Sequence, residues 1–303
     1  RDRMGEKPLY YAFYENNFVF ASELKAIKSL KFFKNNIDYK ALNLFIKYGF
    51  IPSPYCIYEN VKKLPSGTLL KIKLPFVGNQ VLKKYYSFKK TKIDNQNNIL
   101  NKKEEEVSLI LEQTLTQSVD LQKISDVPIG AFLSGGIDSS LIVSLMQKNS
   151  MNKINTFTLG SDDQEYDESN EAIKVANHLK TNHTNYTINS KILIDNISVM
   201  PNVYDEPFSD PSQIPTYMIS KLAREKVKVC LTGDGGDELF GGYNRYLWSD
   251  QKFNKNKLYK KIISKILSSI NASSIESFYN IFSLLLPINK ISNLSEKIHK
   301  YSN

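Results

Sequence analysis

Apolar residues in the second part of the chain follow two kinds of spacing. From Val107 to Val119 an apolar residue recurs at every fourth position, which is typical of an amphipathic helix. Short continuous apolar runs and further helical stripes then follow one another in turn. The pattern predicts strands over 127–134, 154–159, 183–188 and 227–232, and helices over 138–148, 166–180 and 213–225. This alternation predicts a doubly wound α/β domain with a mainly parallel sheet.

The first ninety residues follow a different, β-rich pattern. Two aromatic runs flank Glu-Asn-Asn in "PLYYAFYENNFVFAS", which predicts a hairpin. A helical spacing over 39–50 and a strand over 67–74 come next, and the polar stretch 89–106 is typical of a linker. The chain is therefore expected to contain two domains, over 1–90 and 91–303.

Composition narrows the class of protein. With 303 residues, 41% hydrophobic and 23% charged, the chain has the make-up of a globular protein. No apolar run has the length of a membrane span and no signal peptide is recognisable, so we expect a cytoplasmic protein without a membrane partner. Two distant cysteines, Cys56 and Cys230, fit a reducing compartment. The net charge of +9 comes from dispersed lysines, including the helical stretch 255–267, and does not favour a nucleic-acid partner.

A glycine-rich turn directly follows the apolar residues Ala131 to Leu133. Its sequence, S-G-G-x-D-S from Ser134 to Ser139, places glycines where backbone N–H groups can approach an anion, next to the start of a helix. The turn lacks the lysine of a P-loop and resembles the pyrophosphate loop of N-type ATP pyrophosphatases. A plain strand-to-helix turn with Asp138 and Ser139 as helix caps is the alternative.

A second glycine-rich turn, "LTGDGGDELFGGY", follows the last predicted strand. It carries Asp234, Asp237 and Glu238 within five positions. Three carboxylates so close together repel one another unless a cation lies among them. A magnesium ion carrying a triphosphate is such a cation, so the two turns together favour a nucleotide site.

At this point the chain resembles glutamine-hydrolysing asparagine synthetases. "RDRMGEKPLYY", "FASELKAI" and "KKLPSGTLLKI" are similar to the end of that family's glutaminase domain. "FLSGGIDSS", "TFTLG", "YDESNEAIKVANHL" and "LTGDGGDELFGGY" resemble successive landmarks of its synthetase domain. The resemblance implies an α/β domain of the ATP-pyrophosphatase type after the β-rich end of an N-terminal-nucleophile glutaminase domain. It also implies ATP-dependent amidation of L-aspartate to L-asparagine through a β-aspartyl-AMP intermediate, with Mg²⁺ as cofactor and ammonia derived from glutamine.

The resemblance further assigns roles to individual residues. Asp138 and Asp237 would hold magnesium, while Asp234, Glu238 and Tyr243 would face the acceptor or the intermediate. The family often has glutamate in place of Asp234, which leaves another acceptor open. The nucleotide would be bound by Leu133, Ser134, Gly135, Gly136, Asp138, Ser139, Leu159, Thr232 and Gly233.

Several alternatives remain at the level of the sequence. An amidotransferase acting on a sugar or antibiotic precursor, and a domain that binds ATP without turnover, both share these motifs. The family's amino-terminal cysteine and a later lysine are not in the chain, so we expect an internal piece of a longer protein that is inactive alone. A homodimer is left open. Asp205-Glu206-Pro207 fits equally a segment that closes the active site and an ordinary acidic proline turn.

Overall fold

The computed structural model describes residues 1–14, 17–73, 80–99, 102–163, 167–243 and 246. The chain divides into two compact units, Arg1–Gly233 and Asp234–Asn303. The strands are β1 Tyr10–Tyr14, β2 Asn17–Ala21, β3 Val61–Lys63, β4 Thr68–Ile72, β5 Gln80–Lys84, β6 Ile129–Phe132, β7 Asn155–Ser161, β8 Asn182–Ile188 and β9 Val229–Leu231. The helices are α1 Leu24–Lys28, α2 Tyr39–Tyr48, α3 Phe88–Ile99, α4 Glu104–Gln122, α5 Ile137–Lys148, α6 Ser169–Leu179, α7 Ser190–Asn196, α8 Met200–Val203, α9 Gln213–Ala223 and α10 Gly236–Phe240, with a 3₁₀ turn at Ile197–Val199.

The amino-terminal part is β-rich, as its pattern predicted. β1 and β2 form the expected antiparallel hairpin, and β3 extends the sheet in the order β2-β1-β3. The predicted helix at 39–50 ends at Tyr48, because Gly49 adopts a left-handed conformation with φ of 78°. The Asp38 carboxylate accepts the backbone N–H groups of Lys40 and Ala41 and begins that helix. The buried side chains of this part are Tyr10, Ala12, Leu24, Ile27, Ala41, Ile51, Cys56, Ile57 and Val61.

A parallel four-stranded sheet confirms the predicted α/β fold class. Its order is β8-β7-β6-β9, and all three pairings are parallel. On one face, Ala131 of β6 packs with Val143 and Met146 of α5. Leu133, the residue directly after β6, belongs to the same cluster. Phe157 of β7 belongs to a separate cluster, in which it packs with Ala223 at the end of α9 and with Val227. Helices therefore pack on both faces of the sheet, as in other parallel α/β folds.

Some element boundaries differ from their predictions for local reasons. The strand predicted at 227–232 is only Val229–Leu231, because the N–H of Val227 bonds to the carbonyl of Ala223 at the end of α9. The polar stretch 89–106 was predicted as a linker and is largely helical, in α3 and the start of α4. The short elements α1, α7, α8, α10, β3 and β5 had no sequence prediction, and the basic helix predicted at 255–267 lies outside the described residues.

Two further findings concern the chain as a whole. Cys56 is buried, Cys230 is half-buried, and both are free thiols. Among the helices that the structure describes, none combines the length and the apolar character that crossing a bilayer demands.

Candidate active site at the switch point of the parallel sheet

Three strands of the parallel sheet end at one edge, and the predicted nucleotide residues follow those ends. Ala131 of β6 pairs with Leu231 of β9, and Phe132 pairs with Phe157 of β7. The chain runs from β6 to β7 and β8 on one side, whereas β9 lies on the other side of β6. This reversal is the topological switch point, where ligands bind in open α/β sheets. The structure therefore places Leu133, Ser134, Leu159, Thr232 and Gly233 at a single sheet edge.

The glycines of the first turn bring it against a neighbouring helix. Gly135 has φ of +83°, and a Cβ on it would lie 2.7 Å from the backbone nitrogen of Ala172 and 2.8 Å from Cβ of Glu171. Any other residue would clash with the first turn of α6 and would also strain the backbone. Gly136, the N-cap residue of α5, has an extended conformation and an exposed position. The turn is therefore held against α6 while its outer side faces solvent.

Hydroxyl groups fix the internal shape of this turn. Oγ of Ser139 lies 3.0 Å from Oγ of Ser134 and accepts the backbone N–H of Ser134 at 3.2 Å. The N–H of Gly136 donates to Oγ of Ser134 at 3.2 Å. Ser139 is 9% exposed, so its hydroxyl forms hydrogen bonds inside the turn, whereas Ser134 is exposed. Of the two serines that are predicted to bind the nucleotide, Ser134 is therefore the one whose side chain reaches solvent.

Gly233, which follows β9, approaches the first turn through backbone atoms. A Cβ on Gly233 would lie 2.6 Å from the backbone nitrogen of Ser139 and 2.8 Å from the carbonyl carbon of Asp138. Only glycine allows this contact, since real Cβ atoms do not come so close to backbone. The end of β9 and the first turn of α5 therefore touch directly, so the structure brings together Gly233, Asp138 and Ser139.

Charge and dipole favour an anion at the start of α5. The helix has twelve residues, and its first N–H groups and its dipole make that end attractive to negative charge. Asp138, in the first turn, is half-buried. One carboxylate at this position suits a cation that accompanies a phosphate.

The apolar floor of the site is formed by the ends of β6 and β7. Leu133 is 2% exposed, and its N–H donates to the carbonyl of Phe157 at 2.9 Å. Thr158 donates its hydroxyl to the carbonyl of Leu133, so the turn begins from a fixed backbone. Leu159 is half-buried at the same edge. Leu133 is thus a core residue beneath the turn, whereas Leu159 is accessible enough to contact a base or ribose.

The remaining predicted residues belong to the second compact unit. Within it, α10 begins after Gly235 and ends at Gly241, both with left-handed φ. Tyr243 donates its hydroxyl to Oε1 of Glu238 at 2.7 Å, so this predicted pair is brought together. A Cβ on Gly242 would clash with the carboxylate of Asp237, which fixes that side chain beside the Gly241-Gly242 turn. Asp234 is exposed just before the helix.

The acidic residues fit a magnesium ion that is bound mainly through a substrate. Among the described residues there is no group of three or more histidine, cysteine or acidic side chains able to hold a metal by itself. Mg²⁺ is commonly held by one or two carboxylates together with substrate phosphates. The half-buried Asp138 beside the anion-binding turn meets that requirement in part, and its partnership with Asp237 of the other unit stays a prediction.

Sequence reasoning missed Asp167, which supports the site from the end of β7. Its Oδ1 accepts the N–H groups of Ser161 at 3.3 Å and Ser169 at 3.1 Å, and its Oδ2 accepts the Ser169 hydroxyl at 3.0 Å. The Ser169 bonds favour the ionised carboxylate and lower the pKa of Asp167. A Cβ on Gly160 would lie 2.8 Å from Oδ1 of Asp167. The acidic sequence Asp167-Glu168 directly before α6 was the available signal, because acidic residues are favoured at the start of a helix.

A parallel sheet with a glycine-rich turn and Gly233 in backbone contact at its switch point defines an α/β domain of the ATP-pyrophosphatase class. The comparisons with known families specify it further. The asparagine synthase family model matches residues 110–301, and the glutamine amidotransferase domain model matches residues 1–86. The chain belongs to the asparagine synthase family.

Individual relatives agree with this assignment. A putative glutamine-hydrolysing asparagine synthetase 2 of Methanocaldococcus jannaschii is 41% identical over 252 residues, covering 82% of this chain and 47% of that protein. The glutamine-hydrolysing asparagine synthetase 1 of Bacillus subtilis is 34% identical, covering 81% of this chain and 37% of that protein. The chain thus spans about half or less of the length of these relatives. A structure of an NH3-dependent NAD synthetase from Campylobacter jejuni is 17% identical with a TM-score of 0.33, and the match covers 63% of this chain and 93% of that one.

Proposed function

We propose that the complete protein containing this chain amidates L-aspartate to L-asparagine at the expense of ATP, with ammonia from glutamine. The observation that carries the proposal is the backbone contact between Gly233 and Ser139, which joins the segment after β9 to the first glycine-rich turn at the switch point. Matches to asparagine synthase and glutamine amidotransferase family models support the substrates. ATP would be cleaved between its α and β phosphates.

The first turn would bind the pyrophosphate half of ATP. The Ser134 hydroxyl and the N–H groups at the start of α5 would donate to phosphate oxygens, and Gly135 and Gly136 leave room for them. Leu159, Thr232 and the backbone near Leu133 would contact the nucleoside. Phosphoryl chemistry depends mainly on placing charge correctly, so a rigid backbone cradle is the suitable device.

The reaction would proceed in two balanced steps. An oxygen of the aspartate β-carboxylate would attack the α-phosphorus, the bond to the bridging oxygen would break, and pyrophosphate would leave. Ammonia would then attack the acyl carbon of the mixed anhydride, lose a proton and release AMP. Asp138 and Asp237 would hold a magnesium ion, which would neutralise charge on the leaving pyrophosphate. Asp234, Glu238 and Tyr243 would face the aspartyl group, with Tyr243 oriented by its bond to Glu238.

Pyrophosphate release tests the proposal directly. The complete gene product is assayed with ATP, magnesium and ammonia, with and without L-aspartate. We expect release that depends on aspartate and falls by about 100-fold or more in Asp138→Ala, since single electrostatic groups at such sites contribute on that order. The matched control is Asp126→Ala, an exposed aspartate before the opposite end of β6, which should keep the wild-type rate.

Other outcomes of this assay would change the assignment in defined ways. Release with a different carboxylic acid and none with aspartate would replace the acceptor while retaining the role of the turn. Absence of release with every acceptor, despite normal ATP binding by calorimetry, would instead indicate a domain that binds ATP without turnover.

A further inference from the structure

A short segment of the synthase-type part lies against the amidotransferase-type part. It consists of residues 203–209, between α8 and α9, and we call it the docking segment. Its hydrogen bonds to residues of the first ninety run along its whole length. They are Lys25 Nζ to the carbonyl of Val203 at 3.2 Å, the N–H of Leu24 to Asp205 at 2.8 Å, the N–H of Ile57 to Glu206 at 2.8 Å, Lys63 Nζ to Glu206 at 2.6 Å, Tyr10 Oη to Glu206 at 3.4 Å, and the N–H of Ser209 to the carbonyl of Gly49 at 2.6 Å.

Glu206 is the centre of these contacts. Its side chain is 11% exposed and that of its partner Lys63 is 12% exposed. Both carboxylate oxygens have donors, Oε1 from the backbone of Ile57 and Oε2 from Lys63 and Tyr10. A buried carboxylate with this set of directed donors has one position in which all of them are satisfied. Glu206 therefore sets where the docking segment sits.

Asp205 adds a second buried carboxylate to the same place. Its Oδ2 accepts the N–H of Leu24, at the start of α1. Its Oδ1 is buried, and no hydrogen-bond partner for it lies within the described part of the chain. The negative charge also acts on neighbouring groups, because burial and then the charges of Glu206 and Asp205 raise the pKa of Tyr10. Two acids beside one lysine are costly to bury, so the pair adds little net stability relative to apolar residues of similar size.

The docking segment is also tied to the candidate active site. Tyr204 donates its hydroxyl to the carbonyl of Gln213, and Gln213 donates its side-chain amide to the carbonyl of Phe208 at 2.8 Å. These bonds fix the segment to the start of α9. The other end of α9 packs on Phe157 of β7, whose carbonyl accepts the N–H of Leu133 below the pyrophosphate turn. Continuous contacts thus join Glu206 to the site.

We propose that Glu206 and Asp205 are positioning residues that hold the amidotransferase-type part on the synthase-type part so that ammonia passes between them without loss. The proposal rests on the proposed function for the identity of the transferred molecule. Its structural half, that the acid pair joins the two parts, is independent of that function. Neither residue touches the reacting groups.

Cleavage of the chain between α3 and α4 after folding tests the structural half. A protease site is inserted between Lys102 and Lys103 of the chain, the folded protein is cut, and association of the two pieces is measured by sedimentation. We expect the wild-type pieces to stay together and Glu206→Gln to weaken their association by about tenfold or more, as loss of a buried charge pair does at interfaces. Glu112→Gln, which removes an exposed ion pair with Lys148, is the matched control and should leave association unchanged.

Hydrogen exchange keeps the test decisive if the cut pieces precipitate. In the uncut chain, Glu206→Gln should increase the exchange rate of the Ile57 amide, and Asp205→Asn should increase that of Leu24, each without affecting amides of α5. Unchanged association, or unchanged exchange at both amides in folded variants, would overturn the proposal.

Coupling of the two activities tests the functional half. In the complete gene product, glutamate and asparagine formed from glutamine are measured together, and synthesis from free ammonia is measured in the same preparation. Glu206→Gln should raise the glutamate to asparagine ratio at least about twofold and leave ammonia-dependent synthesis near the wild-type rate. A parallel loss of both would mean a merely structural role. Absence of ammonia-dependent synthesis in the wild type would refute the proposed function and leave the docking result standing.

Discussion

At the scale of the residue, close contacts between backbone atoms determine the geometry of the candidate site. Gly233 and Ser139 meet without a side chain between them, and Gly135 meets α6 in the same way. Sequence reasoning found these residues because a glycine-rich turn after a buried strand is a strong local signal. It did not find that Gly233 supports α5, because that contact joins residues far apart in the chain.

Replacing Gly233 by alanine tests this contact. The added Cβ would overlap the backbone of Asp138 and Ser139, so the strand end or the helix must shift. We expect Gly233→Ala to lower the free energy of unfolding by about 1–3 kcal/mol, the usual cost of overpacking, and to weaken ATP binding. Urea unfolding and calorimetry measure the two effects.

Gly136→Ala provides the comparison for Gly233→Ala. A Cβ there would meet only the flexible Oγ of Ser134, at 3.2 Å, and no left-handed conformation is involved. Its stability should therefore stay close to that of the wild type. Equal destabilisation by both substitutions would argue against a special contact at Gly233.

Asp205 and Glu206 illustrate why some contacts could not be predicted from the sequence. Asp205 and Glu206 fitted both an active-site closing segment and an ordinary turn, and the structure places them instead against the first ninety residues. Their partners Leu24 and Ile57 offer only backbone N–H groups, which carry no sequence signature. Local motifs were thus predictable, whereas contacts between distant segments were not.

At the scale of the element, the pairing of β7 with β8 encloses the side chain of His183. Nδ1 of His183 lies 3.0 Å from the hydroxyl of Thr156 on β7. Its Nε2 is buried and has no hydrogen-bond partner within the described residues. Burial disfavours the charged ring and lowers the pKa of His183 below its usual 6.5. We therefore expect acid to destabilise this strand pair.

The sign of this effect follows from proton uptake. As the pH falls below about 6.5, the unfolded chain binds a proton at His183 before the folded protein does, so the free energy of unfolding decreases. Urea unfolding from about pH 7.5 to about pH 5 should show a smaller decrease in His183→Gln than in the wild type. His178→Gln, which removes an exposed histidine of α6, is the control. An identical pH dependence in His183→Gln and wild type would contradict this explanation.

Most strands and helices of the α/β part were predicted, because short apolar runs alternate with helical stripes along this stretch of the chain. The sheet order was not, since β9 joins β6 through pairings that no local pattern encodes. Short elements such as α1 and α8 escaped because four or five residues do not establish a period.

At the scale of the whole molecule, the two cysteines lie in different parts of one compact unit, Cys56 in the β-rich part and Cys230 on β9, so their reactivity can show when each part unfolds. Burial raises the pKa of Cys56 to about 12, with a further contribution from the charge of Glu206, and burial raises that of Cys230 to about 11. Both thiols should resist alkylation in the native chain at about pH 8.

Alkylation of each thiol at increasing urea concentrations then shows whether the unit unfolds in one cooperative step. Single-thiol variants, Cys56→Ala and Cys230→Ala, should become reactive at the same urea concentration if the docking segment makes unfolding cooperative. Earlier exposure of Cys56 would mean that the amidotransferase-type part opens independently. Glu206→Gln should separate the two midpoints.

The contact between Gly233 and Ser139 also limits how such a protein can change over time. Side-chain contacts tolerate exchange of one group for another of similar size, but two touching backbones leave no component to exchange. Insertion or deletion of one residue in either turn would move one backbone away from the other. We therefore expect length variation among related sequences to fall in the connections away from this sheet edge, so that the number of residues in each turn is inherited more strictly than the identity of most side chains around it.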